Sequence, residues 1–198
     1  DWVAAEKEPP PSRYPLIENG SLVESHVEGS INQAAWKELS FINHPSEMYK
    51  PTLNYYGERW AKERIIDEHP TFSDKYYNTL VPAVDRNNND LSHSTILPPT
   101  ASVPLATYTS WNMRAPQTGG ENSLARLSGG YVPYARDNDS ALANRDQRDS
   151  IADLYDTFED YLQQYETATD SLIQDGYLLP GFKSDYMGIA RAMESMFD

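Results

Sequence analysis

Residues 103–114 read Val-Pro-Leu-Ala-Thr-Tyr-Thr-Ser-Trp-Asn-Met-Arg, the densest aromatic and polar stretch in the chain. Threonine, tyrosine and tryptophan suit a pleated, half-buried surface. Val103 to Met113 therefore reads as an extended run. Successive side chains of a strand alternate between its faces. Tyr108, Ser110, Asn112 and Arg114 then share one face, and Thr109 and Trp111 the other. Such a strand can line a substrate pocket, with Trp111 as apolar wall, Asn112 as donor, and Tyr108 and Arg114 beside them. The competing reading is a sheet edge with Trp111 in the core.

Upstream, Leu80-Val81-Pro82-Ala83-Val84 reads as a strand closed by the turn formers Asp85 to Asp90. Asp85, Asn87 and Asn89 start like a calcium loop, with oxygen side chains at alternate positions. The loop needs Gly at its sixth position and Glu at its twelfth, and the chain has Asp90 and Ile96 there. A hairpin turn is the better reading. Residues 16–23 read as strand–turn–strand around Asn19-Gly20. The prolines between residues 9 and 15 end any preceding helix, and residues 2–6 read as the tail of one. That start predicts a processed product or an internal fragment. Residues 24–78 carry aromatics without a clean period and prolines at 45, 51 and 70. They predict irregular chain pinned by aromatics, with a short helix over residues 31–38.

Downstream, Gly119-Gly120 and Gly129-Gly130 punctuate loops. The character changes at residue 137, which divides the chain into a loop-rich segment over 1–136 and an acidic helical segment over 137–198. Ser150 predicts a capped short helix through Tyr155. Thr157 opens a longer one, with Asp160 in a variant of the capping box. Phe158, Tyr161, Leu162, Tyr165, Ala168, Thr169, Leu172 and Ile173 recur at helical spacing. Gly176 can end that helix in the left-handed conformation. A last helix is expected from Lys183, capped by Ser184, to Met196, with Met187, Ala190, Met193 and Phe197 on its apolar side.

The net charge of −14 comes from 30 acidic and 16 basic residues. A surface this negative repels phosphate backbones, so no nucleic-acid partner is expected. No apolar run approaches the ~20 residues needed to span a bilayer. The absence of cysteine removes disulfides, thiol catalysis and cysteine–zinc sites. The acidity fits a periplasmic or extracellular setting.

A serine nucleophile on a strand–turn–helix elbow needs small neighbours, usually Gly-x-Ser-x-Gly. No such string occurs, nor a phosphate loop, a His-Glu-x-x-His or a Gly-x-Gly-x-x-Gly. His26, His44, His69 and His93 lack helical ligand spacing. No catalytic residue, metal or cofactor is assigned to this chain.

The order of the strings carries a resemblance. Pro10-Pro11-Ser12-Arg13-Tyr14-Pro15, Asn19-Gly20-Ser21-Leu22-Val23 and Tyr56-Gly57-Glu58-Arg59 come first. Leu80 to Asp85 and Val103 to Arg114 follow, then Gly130-Tyr131-Val132-Pro133-Tyr134-Ala135 and Gly176-Tyr177-Leu178-Leu179-Pro180. Together they resemble the bacterial α/β-hydrolase-domain proteins, with Val-Pro-Leu-Ala-Thr-Tyr-Thr the most specific string. The resemblance implies an α/β fold class: the C-terminal part of an α/β-hydrolase fold, loop-rich, with a few strands and two or three C-terminal helices. In that family these stretches follow the hydrolase core, and the triad lies upstream. The implied function is the cap or core-covering part of an esterase-like serine hydrolase. Its partner is the N-terminal catalytic portion of the same precursor, in a hetero-oligomer acting on a small ester-type substrate. The alternative is a non-catalytic binding or structural module of an extracellular assembly, and a weaker option is a calcium-dependent extracellular domain. Alone, a chain with so few separated strands is expected to be poorly stable.

Overall fold

The computed structural model describes residues 8–24, 39, 52–66, 71–76, 80–91, 95–109, 112–120, 124–125 and 129–198. The strands in chain order are β1 (Leu22–Glu24), β2 (Thr52–Tyr55), β3 (Thr71–Tyr76), β4 (Leu80–Pro82), β5 (Ala106–Thr109), β6 (Asn112–Met113), β7 (Leu124–Ala125) and β8 (Gly130–Pro133). The α-helices are α1 (Trp60–Glu63), α2 (Pro99–Ser102), α3 (Asn138–Asn144), α4 (Ile151–Leu154), α5 (Phe158–Gln174) and α6 (Lys183–Arg191). Among the described residues the strands form antiparallel pairs: β1 with β4, β2 with β3, β5 with β8, and β6 with β7.

The turn at Asn19-Gly20 forms, but the strand expected before it does not. The Ser21 hydroxyl accepts from the Leu16 amide at 2.9 Å, and the Ser21 and Leu22 amides both donate to the Leu16 carbonyl. Leu16 has spent its backbone on this turn, so β1 finds its ladder partner far along the chain in β4, with Val23 opposite Val81. Within the stretch from 24 to 78, the described residues are more regular than the composition suggests. β2 and β3 pair with a register shift between Thr52 and Asn54. α1 ends on Arg64 in the left-handed region, at φ 59°. Trp60 packs 5.3 Å from Tyr56, and the Arg64 guanidinium lies 5.5 Å from the Trp60 ring. The helix expected over 31–38 lies outside the described residues.

Leu80 to Asp90 folds as read: β4, a Val84–Asp90 bridge, and a tight turn between them. The extended run from Val103 is split. β5 ends at Thr109 and pairs with β8, while β6 begins at Asn112 and pairs with β7. Gly129 enters β8 where a side chain has no room, because a Cβ there would sit 2.8 Å from the Thr109 carbonyl oxygen. α2 precedes β5 and was not anticipated; Pro99 occupies its first turn, where a missing N–H costs nothing.

The helical half follows its local signals closely. Ser150 and Asp153 make a reciprocal capping box at α4. Thr157 caps α5 by accepting from the Asp160 amide at 3.1 Å. Asp160 does not close a second box, because its carboxylate accepts from the Asp156 amide instead. α5 ends in a Schellman turn: Gly176, at φ 81°, donates to Ile173 and Tyr177 donates to Leu172. α6 starts at Lys183, as expected, but Ser184 is not its cap. A 3-10 turn over Pro180–Phe182 leads straight into it, so Phe182 holds the cap position without a side-chain bond. α3 is an addition to the expected helices, capped by Asp137 through the Ser140 amide at 2.9 Å.

The core lies where α5 packs on α2 and α6, with β5 and β8 alongside. Val103, Leu105, Tyr134, Ile151, Tyr155, Tyr161, Tyr165, Met187 and Ala190 are its buried members. Tyr155 and Tyr161 meet edge-on at 5.2 Å, and Phe197 closes against both. Tyr134, Tyr155, Tyr161 and Tyr165 are four of these nine members, so large aromatic rings carry much of the buried area.

Candidate functional site

Two buried polar clusters fix strand β5, and β5 fixes the candidate site. The first is the Asp85–Asp90 turn. Asp85 Oδ1 accepts from the Asn87 and Asn89 amides at 2.8 and 3.0 Å. Asn88 takes the left-handed conformation, at φ 62°, that an Asn tolerates. The Asn87, Asn88 and Asn89 side chains all turn inward. Asn89 donates to the Ala106 carbonyl and to the Tyr134 hydroxyl, and its Oδ1 accepts from the Tyr108 amide at 2.9 Å. Asn87 exchanges two hydrogen bonds with Asp149. The Asn87 and Asn89 side chains are engaged with protein, so the turn is a hairpin brace. Among the described residues no cluster of three or more His, Asp or Glu is placed to hold a metal ion.

The second cluster centres on Arg148. Its guanidinium donates to Thr107 Oγ1 at 2.9 Å, to the Val132 carbonyl at 2.8 Å and to the Pro133 carbonyl at 2.9 Å. It also pairs with Asp146 and stacks 5.0 Å from the Tyr134 ring. Thr107 in turn donates to the Asn87 carbonyl. One arginine thus ties β5 to β8 and to the asparagine turn.

On the far side of this brace lies an apolar cavity of about 180 Å³. Leu105, Ala106 and Tyr108 form one wall, with Tyr131 from β8 beside them. Thr100, Tyr161, Ile189, Met193 and Met196 complete it. Tyr108 and Tyr131 are register partners and stack at 6.4 Å. Burial raises the Tyr108 hydroxyl above its ordinary value, with Tyr131 adding to the effect, so the phenol stays neutral. A second cavity, of about 280 Å³, lies between Arg136, Asp137, Tyr155, Phe158 and Phe197.

Of the residues read from the sequence as pocket-lining, Tyr108 borders the first cavity. Asn112 sits on β6 opposite Ala125 and is exposed, as is Arg114 just beyond it. Neither borders either of the two cavities. Trp111 lies outside the described residues, as do all four histidines. Sequence reading missed Tyr131 and Ile189 as neighbours of Tyr108, and Arg148 as the group that holds β5. The Gly-Tyr-Val-Pro-Tyr string marked the first as part of a motif, but no local signal pairs it with Tyr108.

No helix of the described residues is long and apolar enough to cross a membrane. Neither a curated protein nor a solved structure matches the chain. A family model does, over residues 1–187, and it describes an alpha/beta hydrolase domain. With its mixed helices, short strands and loops, the chain belongs to the α/β-hydrolase-domain family.

Proposed function

We propose that this chain is the C-terminal, core-covering part of an esterase-like serine hydrolase whose nucleophile, acid and base lie upstream in the same precursor. One observation carries the reading. A chain of a hydrolase family holds no Gly-x-Ser-x-Gly, and its described strands form only two-stranded antiparallel pairs. The nucleophile elbow of such enzymes sits at the top of a sheet, on a strand-to-helix turn. This chain supplies cover and pocket wall, and the bond chemistry belongs to the partner portion. Tyr108, Trp111, Asn112 and Arg114 are the proposed substrate-side residues, with Tyr108 supported by its place at the cavity.

Treatment of the native protein with a fluorophosphonate probe, followed by peptide mapping, tests this. The expected result is one labelled serine in sequence upstream of Asp1. A labelled serine within these 198 residues, or no labelled serine in the assembly, overturns it.

A further inference from the structure

The cavity beside Tyr108 has a size and lining that select a ligand class. Its volume is about 180 Å³. An apolar cavity of about 150 Å³ takes up benzene. Among the described residues no Lys, Arg, His, Asp or Glu lines it. An anion would find no counter-charge there, inside a chain of net charge −14. A cation would shed its water without a carboxylate to replace it, a cost that ring faces offset only in part. A neutral ring or short alkyl group meets neither penalty. The tyrosines and Thr100 add hydroxyls to an otherwise aliphatic and thioether wall.

The mouth is open and apolar. Tyr131 is 58% exposed, Ile189 44% and Tyr108 39%. The floor is held in place, since Ala106 on β5 and Leu105 just before it are buried and Asn89 bonds to the strand from behind. Met193 and Met196 close the side, and unbranched thioethers adapt to the shape of a guest.

We propose that this cavity is a binding site for an uncharged, single-ring or short-alkyl group bearing one hydroxyl or ether oxygen. In the proposed hydrolase it receives the apolar portion of the ester, a clause that rests on that reading. Occupancy of the cavity does not.

The test is ligand binding to the native protein by saturation-transfer and titration NMR, with p-cresol, benzoate and methylammonium as probes. The p-cresol signal is expected to saturate, and the two ions to bind at least about tenfold more weakly. Ile189→Trp, a change at a half-exposed rim position, is expected to weaken p-cresol about tenfold. Met193→Ala enlarges the space and is expected to shift preference from p-cresol toward 2-naphthol. Leu142→Ala, at an exposed position on α3, is expected to leave binding unchanged. The proposal is overturned if p-cresol does not saturate, if either ion binds as well, or if Ile189→Trp and Met193→Ala both leave p-cresol untouched. Fluorophosphonate labelling is read separately, so a failed cavity and a failed hydrolase assignment give different patterns.

Discussion

Arg148 grips Asp146 through both carboxylate oxygens: Nε lies 2.9 Å from Oδ1 and Nη2 lies 2.6 Å from Oδ2. Neither side chain is more than 3% exposed. A buried pair of this kind is weak evidence of net stabilisation, but removing one partner strands the other charge. Asp146→Ala is therefore expected to destabilise the protein by about 3–5 kcal/mol. Arg148→Lys should also destabilise it, because an ammonium cannot reproduce the fork that reaches Thr107, Val132 and Pro133 together. Urea unfolding of both variants checks this. An unchanged midpoint for Asp146→Ala would show that the arginine relaxes to solvent.

Asn89 makes three hydrogen bonds with buried or half-buried groups of β5 and Tyr134. Asn89→Ala leaves the Ala106 carbonyl and the Tyr108 amide without that partner. At about 1–3 kcal/mol per stranded buried group, a loss of at least ~2 kcal/mol is expected. Because the Tyr108 backbone is freed, p-cresol binding should fall as well. A stability loss with undiminished binding would detach the brace from the cavity.

Burial raises the Asp90 carboxyl above its ordinary value, and the negative charge of Asp85 adds to the shift. Asp85 moves the same way, mainly through burial, against the Asn89 and Asn87 amides that lower it. An acid whose folded pKa lies above its unfolded value destabilises the fold while ionised. That penalty is relieved as pH falls through the folded value. Asp90→Asn is expected to raise the melting temperature near neutral pH, with the advantage shrinking toward the ordinary carboxylate range near pH 4. An advantage that grows on acidification would reverse the sign.

The Tyr165 hydroxyl is buried without a hydrogen-bond partner among the described residues. Burial pushes its pKa up to about 12, with the neighbouring Tyr108 and Tyr186 adding to it. Removing an unsatisfied buried hydroxyl leaves the ring packing against Tyr161 intact. Tyr165→Phe is expected to stabilise the protein by about 1 kcal/mol. Differential scanning calorimetry reads the change, and a clear loss would reveal a partner for that oxygen.

Ser150 closes a two-way capping box with Asp153 and is fully buried. Ser150→Ala is expected to cost about 1 kcal/mol, within the range of N-cap replacements. Circular dichroism during thermal unfolding measures it, and Ser150→Thr should recover part of the loss.

The family and most of the helical half, α3 and the cap of α6 excepted, were legible in the chain's local patterns. Ser150, Thr157 and Gly176 act on backbone groups within a few residues, so caps and stops are written locally. The spacing of Tyr161, Tyr165 and Thr169 likewise declares which face of α5 is buried. The Asp85–Asp90 turn was readable for the same reason. Only the tertiary structure decided that β1 pairs with β4, that Arg148 is sealed inside, and that Tyr131, Ile189 and Met193 meet at Tyr108. Those outcomes join residues distant in sequence. Their selection depends on shape and on which polar groups find partners once water is excluded, and no local pattern encodes that.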